Sequence, residues 1–172
     1  MLKQRLLYLA NRRYTPQSAD WNAYLAWSQL HWIEELVTLD ATLCPRLITQ
    51  LSAADWNYNA TEEGEPHFFW DLDYLASRTP SGTNHQILAT LKNPRALEPL
   101  PDKSFQFSGI DLVEKGGGTS TIVNCGGYDN TFDRSECNKF GLITDLARAQ
   151  EIQRTLPINN PEDPHASSDC WA

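Results

Sequence analysis

Four cysteines and four histidines are the residues of this chain best suited to chemistry, and their spacing argues against most of it. Cys125 precedes Gly126 and Gly127 at what reads as a strand end. A nucleophilic thiol needs a base beside it and a group that lowers its pKa. His165 is the base a Cys125 mechanism would use, and His67 is the other partner to consider. No family signature surrounds either histidine, and the alternative is a small buried thiol where glycines turn the chain. Cys125, Cys137, His165 and Cys170 could together hold zinc as a structural metal domain. Only His165 and Cys170 are close in sequence, whereas structural zinc sites usually present close pairs. On a helix, His67 and Asp71 would share a face, which makes two ligands and not a site. The run from Asp129 to Glu136 echoes a calcium loop but lacks its central glycine and distal glutamate, so it reads as a solvated polar loop. Gly116-Gly117-Gly118 lacks the lysine and following helix of a phosphate loop and reads as a turn. The sequence favours no cofactor, no metal and no catalytic residue, with Cys125 and His165 as the enzymatic alternative.

Charge is the more unusual feature. The formal net charge is −8, although the opening stretch carries Lys3, Arg5, Arg12 and Arg13 and no acid. Such a surface repels a phosphate backbone, so nucleic acid is not an expected partner, and a basic protein is an easier one. Between Leu47 and Ser77 there is no lysine or arginine. That stretch carries Asp55, Glu62, Glu63, Glu65, Asp71 and Asp73, interleaved with Trp56, Tyr58 and Trp70 as well as Phe68, Phe69 and Tyr74. Aromatics that anchor among carboxylates that steer would suit recognition of a basic partner. The competing reading puts the aromatics in the core and leaves the acids as solvating charge. The expectation is a non-enzymatic acidic binding protein, in concrete form an immunity- or antitoxin-type inhibitor that masks the basic surface of a partner such as a toxin.

The elements that must position these residues read as α+β: N-terminal helices packed on a small antiparallel sheet with a central hairpin over about 105–124. The chain is long enough for one domain over 1–172, with a separate basic arm at 1–13 where Leu2, Leu6 and Leu9 fall at helical spacing. Helices are expected over 18–39 with Ser18 as cap and Ser28–His31 as the place for a break, over 67–78, and over 145–156 with Thr144 as cap and Pro157 as stop. Residues 86–92 lean to strand, and Asp169-Cys170-Trp171 opens a last strand. Prolines 94, 99 and 101 mark an irregular connector. Residues 1–13 do not read as a signal peptide and no apolar run is long enough to span a bilayer, so reduced thiols in a cytoplasm are expected, without membrane association.

From residue 33 onward, "ELVTLDATLCPRLI", "DWNYN", "FFWDLDYLASR", "GIDLVEKGGG", "NCGGY", "FGLITDLARAQEIQRTL" and "PHASSDCWA" resemble an uncharacterised family of small bacterial proteins. The resemblance implies no activity, and it implies a last strand that is shortened or altered at Ala172.

Overall fold

The first strand shows how tertiary pairing overrides local spacing. In the computed structural model, which describes residues 4–47, 52, 54–55, 58, 68–82, 84–116, 118–124 and 128–172, Leu7–Arg12 form β1, where the sequence reads as a basic arm with leucines at helical spacing. β1 pairs antiparallel with β2 (His85–Thr90), with Leu9 opposite Leu88. On its other edge Tyr8 exchanges two backbone hydrogen bonds with Phe69, at 2.9 and 2.8 Å. A lone helix of that length is marginal in water, whereas the strand satisfies its backbone on both edges.

The fold is α+β, with three α-helices and two small antiparallel sheets among the described residues. α1 (Trp21–Ser28) is much shorter than the 18–39 helix the sequence predicts. It ends where Gln29 takes a left-handed conformation and donates its N–H to Leu25. Ser18 does not cap it; the Ser18 hydroxyl instead accepts the Thr15 N–H, and Asp20 is the N-cap. Beyond α1, Leu30, Ile33, Leu36, Val37 and Leu39 are all buried. One apolar stripe of a helix could not bury adjacent positions such as Leu36 and Val37 together with Thr38 and Leu39. α2 (Leu72–Arg78) starts later than expected, because Asp71 accepts the Tyr74 N–H as its cap while Phe68 and Phe69 are buried before it.

The central hairpin is present only as a remnant. β3 (Asp111–Glu114) takes its ladder from β4 (Ser168–Trp171), and its link to 119–121 is a single bridge, Val113 to Ser120. Gly109 ends any strand before it: its φ is +140° and a Cβ there would lie 2.6 Å from that of Leu142. α3 (Leu146–Asn159) is capped by Asp145, not Thr144, and runs through Pro157. Pro157 falls in the last turn, where only one backbone donor is forfeited and Asn160 still bonds Leu156.

The two sheets meet along a short seam. Leu91 and Ala172 exchange backbone bonds at 2.8 and 3.1 Å, and Asn93 donates to Cys170 at 2.6 Å. Above this seam Phe68 stacks on Trp171 with ring centroids 4.7 Å apart, in a cluster with Leu9, Leu39 and Val113. The larger core joins α1, α3 and β3 through Trp21, Leu36, Leu112, Ile152 and Leu156. No helix among the described residues is long and apolar enough to cross a membrane.

Candidate functional site

Of the residues the sequence singles out, several lie outside the described part: Cys125, Trp56, Glu62, Glu63, Glu65 and His67. The others can be placed. Tyr58 is exposed and stacks on Tyr74 with centroids 4.0 Å apart. Trp70 is exposed, with the Arg5 guanidinium 4.4 Å from its ring centroid. Asp71 and Asp73 are exposed at the start of α2. Asp55 is not part of an open carboxylate face. It is largely buried, accepts from the Ser52 N–H at 2.9 Å and the Ser52 hydroxyl at 2.6 Å, and is bonded by the Tyr74 hydroxyl. Those Ser52 bonds hold its carboxyl below the usual range, with Arg78 helping from 3.6 Å. Phe68 and Phe69 belong to the core. The stretch therefore divides: Tyr58, Trp70, Asp71 and Asp73 face out, while Asp55, Phe68 and Phe69 hold the fold together.

The cysteines that can be placed are poor nucleophiles. Cys44, Cys137 and Cys170 are free and buried, and burial pushes each thiol up to about 12. His165 Nδ1 lies 2.8 Å from a Glu114 carboxylate oxygen. Among the described residues no group of three or more His, Cys, Asp or Glu side chains is arranged to hold a metal ion. The calcium-like run is a capping box: Asp133 accepts the Ser135 N–H, Glu136 accepts the Asp133 N–H, and Arg148 clamps Glu136 at 2.7 and 2.9 Å.

Sequence reasoning missed a buried polar lattice. Asp111 accepts from the Thr38 hydroxyl at 2.8 Å, the Leu39 N–H at 3.2 Å and the Ser120 hydroxyl at 2.6 Å. Asp40 accepts from the N–H groups of Thr42, Leu43 and Ser120 at 2.8–2.9 Å. Burial pushes the Asp111 carboxyl up to about 6 against the pull of its three donors. Burial likewise pushes the Arg46 guanidinium down to about 10, with Asp40 opposing. This lattice ties the 38–43 segment to β3 and to the turn at Ser120. The signal available in the sequence was a polar residue inside an apolar run, Asp111 between Ile110 and Leu112.

Asp111 also lines a cleft of about 580 Å³. One wall is β2 and the other is the segment leading into β3, with Phe105 and Phe107; Leu39 and Trp171 line it between. Its volume is within the range of small-ligand sites. Compared with protein-family models, with curated proteins and with solved structures, the chain finds no match in any of the three.

Proposed function

We propose that this chain is a non-enzymatic acidic binding protein of the cytoplasm, acting as an immunity- or antitoxin-type inhibitor that masks a basic partner such as a toxin. The observation that carries the reading is the exposed edge at Trp70, where a large ring stands beside the exposed carboxylates of Asp71, which also caps α2, and Asp73, with Tyr58 next to Tyr74. An aromatic anchor flanked by steering charge is a composition that protein interfaces concentrate. The overall charge of −8 supplies the long-range field for a basic partner. Glu62, Glu63 and Glu65 add further acidic charge to the same stretch of sequence.

The test is a pull-down with wild type and with Trp70→Ala as baits, paired with protection of cells that express the product of any neighbouring toxin gene. A basic protein is expected to be retained by wild type at low salt and lost with Trp70→Ala. Retention of no basic partner, together with no protection, would remove the reading.

A further inference from the structure

Among the described residues, hydrogen bonding along β2 leaves one edge of that strand open. Tyr8 spends its backbone N–H and C=O on Phe69, so it faces away from β2. Opposed residues in an antiparallel ladder alternate between bonded and non-bonded pairs. The bonded pairs are therefore Leu7 with Thr90, Leu9 with Leu88 and Asn11 with Gln86, and the Arg13 N–H to Asn84 bond at 3.0 Å keeps the same phase. Ile87, Ala89 and Leu91 turn their backbone groups to the opposite edge. Leu91 uses both of its groups on Ala172. Ile87 and Ala89 have no backbone partner on that edge among the described residues.

The cleft lies against that edge, and the register gives its shape. Lys92 and Asp111 both oppose Trp171, so β4 lies between the end of β2 and β3. Continued one step along the same line, a strand would lie between Thr90 and Gly109, then between Ala89 and Ser108, then between Leu88 and Phe107. All six of these residues line the cleft. The buried Nε2 of Gln86, which also lines it, has no hydrogen-bond partner among the described residues.

We propose that the cleft receives an extended peptide segment of a partner protein, laid antiparallel to β2 and in line with β4, which completes the sheet by strand addition. Unpaired main-chain groups specify an extended backbone, because a compact apolar ligand would leave the N–H and C=O of Ile87 and Ala89 unsatisfied. Side chains of the guest must alternate, since neighbours along a strand point to opposite faces. The guest residue opposite Leu88 shares a face with Leu9 and Trp171 and should be apolar. Asp111 in the lining and the net charge of −8 favour a guest without acids. This surface is separate from the Trp70 edge, so the two proposals stand or fall independently.

The probe is a blocked synthetic peptide of about eight residues alternating valine and threonine, with a lysine at each end. Saturable binding by calorimetry is expected, with slowed amide exchange at Ile87 and Ala89. Methylating the peptide amides that face β2 should weaken binding by about tenfold or more, as expected for losing two backbone hydrogen bonds. Ala89→Pro removes an outward N–H while leaving the bonds of Leu88 and Thr90 to β1, and it should lower affinity similarly. Should that variant not fold, the methylated peptide on wild type decides alone. Absence of saturable binding overturns the proposal. So does binding indifferent to amide methylation, which would make the cleft a small-molecule site.

Discussion

Asp111 illustrates what one buried residue costs and supplies. Its carboxyl, raised to about 6, has an ordinary unfolded value near 3.9. Between those pH values the native state binds more protons than the unfolded state. The contribution of this group is therefore fully present below about pH 4, is lost as pH rises through about 6, and stays lost above. The shift corresponds to on the order of 3 kcal/mol. Asp111→Asn keeps an oxygen for Thr38 and Leu39 and can donate to the Ser120 hydroxyl, so it retains the shape of the lattice without its titration. The stability of the variant minus that of wild type should thus climb between about pH 4 and pH 6 and level off above. Denaturant titrations across that range check it, and the subtraction cancels the other carboxylates. A flat difference would show that Asp111 is not desolvated as described.

At the scale of elements, the sequence was legible where one local signal had no rival. β2 and α3 appear close to where periodicity and turn residues put them, and the last strand begins at Ser168. The misreadings share a cause: a partner distant in sequence decided the conformation. Leu2, Leu6 and Leu9 mimic a helix, yet Phe69 and Leu88 hold residues 7–12 as strand. The stretch after Ser28 carries enough apolar residues for a helix, but Tyr14 and Phe140 take its backbone bonds. The hairpin over 105–124 gave way because β4 pairs with β3 over four residues. The candidate sites follow the same pattern. The sequence left open whether the aromatics of this stretch face out or in, and the burial of Asp55 depended on Tyr74 and Arg78 across a turn. The assignment of β1 can be tested directly. On a helix Leu6 and Leu9 would share one apolar face and matter alike. In the strand Leu9 is fully buried and Leu6 is half-buried beside the cleft. Leu9→Ala should cost about 2–5 kcal/mol and Leu6→Ala far less. Equal losses in chemical denaturation would contradict the strand.

Across the whole molecule, charge and aromatic surface are arranged less simply than the sequence implies. The run from 48 to 76 contains no cation, yet the fold brings Arg5 over Trp70 and Arg78 over Tyr74 and beside Asp55. Part of the acidic field is thus cancelled locally, and among the described residues of this run the exposed acids are Asp71 and Asp73. Asp71 is also the cap of α2, so Asp73 is the better position for probing steering alone. If the Trp70 edge meets a basic partner, the association rate should fall as salt rises, because screening shortens the reach of exposed charge. Asp73→Lys should slow association further and leave dissociation nearly unchanged. Trp70→Ala should act on the other rate: loss of an anchor raises dissociation, at a cost of about 2 kcal/mol or more in binding. Its effect on folding should be small, about 1 kcal/mol, since it removes an exposed ring and its contact with Arg5. Phe69→Ala is the contrasting variant, because that ring is 1% exposed and should cost about 3–5 kcal/mol of folding stability. Thermal melts of the two variants separate surface from core before any partner is in hand. A Trp70→Ala protein that melts as low as Phe69→Ala would show that the ring serves the fold, and the binding edge would then lose its anchor.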